Sequence, residues 1–218
     1  MRELDNRLMK HINLLVERYP KLETVKQDII NAYLVMEECY EHDGKLLIAG
    51  NGGSAADSEH IAGELMKRFK APRPVPPEFA KKLKDIDETR GKELAKNLER
   101  GLMAIPLVAH EALTTAYIND VDGLGVFAQQ IYGFGRPGDV FLGISTSGNS
   151  KNIMNATVVA RALGINVIGL TGANGGELAK VSNVAIKVPE TETYMIQELH
   201  LPVYHCLCLM LEDRFFGK

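Results

Sequence analysis

The chain has 218 residues, of which 45% are hydrophobic and 24% charged, with a formal net charge of −3. That length suits one α/β domain with an elaboration rather than two full domains, and it allows a sizeable core. Near-neutrality combined with this apolar content excludes a disordered chain and gives no electrostatic basis for direct binding of nucleic acid.

Taken in chain order, residues 1–43 form an N-terminal segment in which Leu8, Ile12, Leu15, Ile29, Ile30, Leu34, Val35 and Met36 recur among charges. The spacing predicts two amphipathic helices separated near Tyr19-Pro20, packed on a sheet or on another subunit. Lys45 to Gly50 is then a short apolar run ending at glycine, the pattern of a buried parallel strand. Similar runs follow at Ile105–Val108, Val140–Ile144, Val167–Leu170 and Val184–Val188. Helical patterns from Asn149 to Leu163 and from Gly175 to Ser182 separate the later runs, so the order is β-α-β-α-β. That order predicts a doubly wound parallel sheet covered on both faces. The segment Ile196–Phe216 reads as a long closing helix, apolar on more than one face and buried partly by oligomerisation, with Pro202 placed to kink it.

The stretch 67–102 stands apart. Pro72, Pro74, Pro76 and Pro77 precede a dense run of Lys, Glu, Asp and Arg with helical spacing. It reads as a Pro-rich linker and a solvated helix inserted within a single 1–218 domain, either as surface decoration or as a lid. The three cysteines lack metal-knuckle spacing, and Cys206 and Cys208 lie in an apolar helical pattern, so all are expected reduced, in the core or at an interface. With a polar N-terminus and no run of about 18 apolar residues, the expected compartment is the cytoplasm, without a membrane span.

Two loops carry the chemistry. Gly50-Asn51-Gly52-Gly53-Ser54 follows the first strand and opens a helix, so backbone amides, small residues and the helix dipole converge on an anion. A merely structural glycine turn reads this segment equally well. The loop lacks the phosphate-loop lysine and the full dinucleotide pattern, which disfavours ATP and NAD. The second loop, Gly143 to Ser150, again joins a strand to a helix and offers the hydroxyls of Ser145, Thr146, Ser147 and Ser150. Hydroxyl and amide donors suit reversible binding of a phosphomonoester, whereas a helix cap needs only one of them.

His60 and Glu64, four apart, share one face of the helix opened by the glycine loop. On the last helix Gln197, Glu198, Leu201 and His205 approximate one stripe. Imidazoles, a carboxylate and an amide are a conceivable Zn²⁺ set, although spacing alone favours an ordinary surface His/Glu pair.

Together these pieces resemble the sugar isomerase (SIS) domain family, and within it the phosphoheptose isomerases, from Gly44 to the C-terminus apart from the insertion. The matching motifs are GNGGS at 50–54, HxxxE at His60 and Glu64, GISTSGNS at 143–150, and IQELH with His205 eight residues after Gln197. The resemblance implies a three-layer, flavodoxin-like α/β fold, a homotetramer, and conversion of sedoheptulose 7-phosphate to D-glycero-D-manno-heptose 7-phosphate for heptose and surface-glycan synthesis. Carried over by motif, Ser54, Ser145, Thr146, Ser147 and Ser150 hold the phosphate, Asn51, Gly52 and Gly53 line the cleft, and Asn119 and Asp120 contact the sugar. Glu64 is the implied base and His205 the implied acid or proton relay. His60, Glu64, Gln197 and His205 are the implied ligands of a Zn²⁺ cofactor. Tyr194 stands where an aspartate is expected, and 67–102 is longer than in familiar members. The rival readings are a non-catalytic sugar-phosphate sensor or protein-binding scaffold, including one that associates with a replication initiator, and an enzyme acting on another sugar phosphate, by isomerisation or ether cleavage. Retention of His60, Glu64, Gln197 and His205 together favours catalysis.

Overall fold

The structure, a computed structural model, describes residues 4–217. The first helix, α1 (Asn6–Arg18), places Leu8, Ile12 and Leu15 on one buried face, and the Asp5 carboxylate caps it by accepting from the Arg7 amide. Pro20 ends this helix and opens a 3₁₀ turn to Val25, after which α2 (Lys26–Glu41) buries Ile29, Ala32, Tyr33 and Met36. The expected division near Tyr19-Pro20 is therefore present. A proline suits a first-turn position, where its missing N–H is not needed.

Five strands make one wholly parallel sheet: β1 (Leu46–Ala49), β2 (Ala104–Pro106), β3 (Val140–Ile144), β4 (Asn166–Thr171) and β5 (Val184–Lys187), in the spatial order β2-β1-β3-β4-β5. This is the flavodoxin-like doubly wound order. The register pairs Leu47 with Phe141 and Phe141 with Val167. Successive residues face opposite sides, so each strand feeds two cores. Leu46, Ile48, Val140, Leu142, Ile144, Ile168 and Leu170 face the layer containing α1, α2, α3 (Gly53–Met66) and α10 (Thr193–Phe216). Leu47, Ala49, Phe141 and Val167 face α7 (Val126–Phe134), α8 (Lys151–Ala162) and α9 (Gly176–Val181). Burying one such side chain stabilises the fold by about 1.5–3 kcal/mol, so uninterrupted apolar strands are what this three-layer arrangement requires.

Two expectations change in detail. The strand expected over Ile105–Val108 is β2, followed at once by a 3₁₀ turn over Leu107–Ala109, because Pro106 cannot donate to a ladder and the strand lies at the sheet edge. The charged insertion holds two helices, α4 (Pro77–Ile86) and α5 (Glu88–Asn97), where one was expected. The Asp87 side chain breaks the run by capping α5, accepting from the Arg90 amide at 2.8 Å. The closing helix α10 runs continuously through Pro202 and packs against α1, α2 and α3, while Leu201 on it stays exposed in the single chain. All three cysteines are free and buried. Among the described residues, no helix is long and apolar enough to cross a membrane. The remaining helix, α6 (Glu111–Asp120), has no buried residue.

Candidate active site

The chain leaves β1 toward one side of the sheet and β3 toward the other, so a crevice opens at their carboxyl ends, where ligands bind in open α/β sheets. Both sequence-predicted loops lie there. Asn51, Gly52, Gly53, Ser54, Ser145, Thr146, Ser150 and Gln197 line a single cavity of about 300 Å³, completed by Ile144 and Thr193. No side chain caps α3, whose first turn follows Gly52, and its amide end opens on this cavity. Positive potential from that end favours an anion.

Tight local geometry sets the walls. A side chain at Gly53 would place its Cβ 2.6 Å from Gln197 Nε2, so the glycine leaves room for that amide in its present rotamer. Gly148 has φ +67°, and a Cβ there would lie 2.0 Å from the Gly175 carbonyl oxygen. The two loops are tied by a reciprocal amide pair, Asn51 Nδ2 donating to Asn152 Oδ1 at 3.0 Å and Asn152 Nδ2 to Asn51 Oδ1 at 2.8 Å. Ser145 is buried and its Oγ is 2.9 Å from Ser150 Oγ. Ser147 is exposed, its Oγ accepts from the Asn149 amide at 3.2 Å, and it lines an adjoining cavity of about 200 Å³ with Asn149 and Glu190. Thr146 and Thr193 border both cavities.

Beyond Gln197, a second group forms between α3 and α10. His60 Nε2 lies 3.3 Å from Glu64 Oε1 and 3.5 Å from His205 Nε2. Lys67 Nζ approaches Glu64 Oε2 at 3.3 Å. The other ring nitrogen of His60, Nδ1, is 3.0 Å from the Tyr204 hydroxyl, which in turn is 3.1 Å from Asp57 Oδ1. Such an outer contact fixes the imidazole plane. Burial pulls the His205 pKa below the usual histidine value, the neighbouring His60 adds to this, and Glu64 opposes it. Burial raises the Asp57 carboxyl, only partly offset by the Tyr204 hydroxyl and His60.

Donor chemistry and spacing can be compared with zinc. A tetrahedral ion about 2.1 Å from each donor separates its ligands by about 3.4 Å, and the two distances from His60 Nε2 match such edges. Among the described residues no group of three or more His, Cys, Asp or Glu side chains is gathered so as to hold an ion. Gln197 lines the phosphate-sized cavity. The donors therefore suit zinc in type and in pairwise spacing, while their closure on one centre is not formed.

Asn119 and Asp120 are not among the residues that line this cavity. They end α6, are exposed, and bond to each other, Asn119 Nδ2 donating to Asp120 Oδ1 at 2.8 Å. Tyr194 is exposed at the start of α10, and His200 is fully buried, within the core of its own chain. The insertion 67–102 contributes no side chain to the 300 Å³ cavity. Two residues escape a motif reading: Asn152 and Thr193. Thr193 had a signal, since it precedes Gln197 by four and shares its helix face.

The SIS domain family pattern matches residues 10–102 and 98–172. Phosphoheptose isomerase 2 of Campylobacter jejuni is 39% identical over 205 residues, covering 94% of this chain and 89% of that one. The chain belongs to the SIS-domain phosphoheptose isomerase family. The Geotalea daltonii phosphoheptose isomerase is 42% identical over 174 residues, covering 80% of this chain and 77% of its own. Among solved structures, the phosphoheptose isomerase of Neisseria gonorrhoeae superposes with a TM-score of 0.72 at 30% identity, covering 95% of this chain and 97% of that one. The Francisella tularensis phosphoheptose isomerase gives a TM-score of 0.74 at 27% identity with the same coverage. The GNGGS and GISTSGNS motifs of this chain thus meet at the 300 Å³ cavity at the carboxyl ends of β1 and β3, and the HxxxE pair meets His205 farther along the seam of α3 and α10.

Proposed function

We propose that the chain isomerises sedoheptulose 7-phosphate to D-glycero-D-manno-heptose 7-phosphate, for synthesis of heptose-containing surface glycans. The observation that carries the reading is a seam between α3 and α10 with a hydroxyl- and amide-lined cavity at the amino ends of the two helices and a carboxylate with two imidazoles farther along. In this reading the cavity holds the phosphate: the Ser54, Ser145, Thr146 and Ser150 hydroxyls and the amide end of α3 donate to its oxygens, with Ser147 at the margin. Gln197 and Asn51 orient the sugar hydroxyls. The Glu64 carboxylate takes the proton from C1, leaving an enediolate, and the same proton returns at C2. His205 serves the oxygens, so that O2 gains the proton that O1 gives up. A positioned carboxylate or imidazole each contributes about 10²–10⁴-fold.

Zinc enters as part of the proposal. His60, Glu64 and His205, with Gln197 if its amide swings toward them, would hold the ion, which when bound would polarise the substrate oxygens. The further reading is a cytoplasmic homotetramer, in which a second copy covers the groove lined by Leu14, Leu15, Leu201, Pro202 and Leu209 between α1 and α10. A purely sugar-binding or scaffold role is not favoured, because the relatives named above are isomerases over most of this chain.

The test is conversion of sedoheptulose 7-phosphate by the purified protein, followed by NMR, with zinc added and with chelator. Appearance of the aldose phosphate, lost in Glu64→Gln, supports the reading. Turnover of a hexose or pentose phosphate instead would move the substrate, and absence of turnover with every phosphosugar and metal condition would overturn it.

A further inference from the structure

Among the described residues, one charged pair lies deeper than any other, and it meets α3 through backbone carbonyls. The Arg73 side chain is fully buried and pairs with Glu212 of α10, Nη2 to Oε1 at 2.9 Å and Nε to Oε1 at 3.0 Å. Its remaining donors reach the end of α3: Nη1 donates to the Leu65 carbonyl at 2.7 Å and Nη2 to the Glu64 carbonyl at 3.1 Å. The last carbonyls of a helix have no partner within it. Here the chain leaves α3 at Lys67 in extended geometry, φ −138° and ψ 179°, so the cap is supplied from outside, by Arg73 and by the Leu102 amide, 2.9 Å from the Leu65 oxygen.

Glu212 does matching work on the other side. It accepts from the backbone amides of Phe69, Lys70 and Ala71 at 2.7, 2.8 and 3.0 Å. Burial would raise its pKa, and these amides together with the Arg73 guanidinium outweigh burial and lower it, so the carboxylate is charged in the folded protein. The loop it holds presses the Phe69 ring against His205, with centroids 5.3 Å apart. Glu212 follows His205 by seven, on the same face of α10.

A buried ion pair is weak support for stability, because apolar side chains of similar volume commonly do as well. What an apolar pair could not do is bond directionally to two named carbonyls and three named amides. We propose that Arg73, fixed by Glu212, is a positioning residue for the isomerisation: it locks the last turn of α3, and hence the Glu64 carboxylate, against the helix that carries His205. The inference rests on Glu64 being the base. Misplacing a reacting group by about 1 Å costs on the order of 100-fold in rate, whereas the hydroxyl cavity lies at the opposite end of α3.

The test substitutes Arg73→Lys, which keeps a charge for Glu212 but cannot span both carbonyls. Steady-state turnover of sedoheptulose 7-phosphate is measured with the melting temperature, and the substrate deuterated at C1 is run alongside. The expected result is a kcat lower by roughly 10- to 100-fold, a KM within about twofold, and a larger C1 deuterium isotope effect, since loss of position acts on proton removal. Glu212→Gln, which keeps volume and one acceptor for the amides, gives the same split and stands in if Arg73→Lys does not fold. A kcat within twofold of the unsubstituted enzyme, or one that falls only with the folded fraction, overturns the proposal. Glu64→Gln is the control: if it stays active the base assignment fails and this inference with it, whereas an inactive Glu64→Gln beside a fully active Arg73→Lys overturns the positioning role alone.

Discussion

His60 Nε2 lies 3.5 Å from His205 Nε2, although 145 residues separate them in the chain. The contact forms because α3 and α10 pack on the same face of the sheet, and each brings one imidazole to the seam. Glu64, one turn along from His60, completes the group at 3.3 Å. A carboxylate beside two imidazoles, on the seam that leads from the donor-lined cavity, offers the acid and base groups for moving a proton between adjacent carbons of a phosphosugar.

Replacing that carboxylate by its amide removes the base and keeps the shape. Glu64→Gln should lower kcat by about 10²- to 10⁴-fold, while affinity for the phosphosugar, measured by calorimetry, changes by no more than a fewfold. Full activity in the variant would end the base assignment.

The two serines in hydroxyl contact are unequal to the third. Ser145→Ala and Ser150→Ala should each weaken phosphosugar binding by about 1.5–3 kcal/mol, the worth of a hydrogen bond to a charged group. Ser147→Ala should cost less, because that side chain is exposed and its oxygen already accepts from the Asn149 amide. Titration of each variant with the substrate ranks them, and equal losses at all three would place the phosphate farther out.

Gly148 is a backbone requirement. An alanine there meets a left-handed φ of +67° and a carbonyl oxygen 2.0 Å from its Cβ. Gly148→Ala should lose about 2 kcal/mol or more by urea unfolding, where an unchanged midpoint would contradict the loop geometry.

His200 makes stability depend on pH. Both ring nitrogens are buried, and burial lowers its pKa from 6.5 to about 4 against a raising contribution from the Thr171 backbone. The folded state thus keeps the ring neutral while the unfolded state takes up a proton below pH 6.5, so stability is complete above that pH and is lost as pH falls toward 4. Between neutrality and pH 5 the loss from this residue is about 2 kcal/mol. Relative to that of His200→Leu, the urea midpoint of the protein should fall between neutrality and pH 5, and parallel curves would mean the ring is not held neutral.

Much of this was legible in the chain itself. The strands at Leu46–Ala49, Val140–Ile144, Asn166–Thr171 and Val184–Lys187 coincide with apolar runs, because a parallel strand buried on both faces admits little else. Both glycine- and serine-bearing loops were visible as strand-to-helix turns, and the HxxxE spacing placed His60 and Glu64 on one helix face, since helical periodicity is local. What the residues could not disclose depends on contacts between distant segments. Only packing brought His205 to His60, left Ser147 outside the cavity that holds Ser145, and buried Arg73 against Glu212. Each of these is set by how helices cross a sheet rather than by any one segment's own preference. The sequence alone determined the order of elements and the donors available. Tertiary structure decided which donors meet, because side-chain distances across layers follow from packing and not from spacing along the chain.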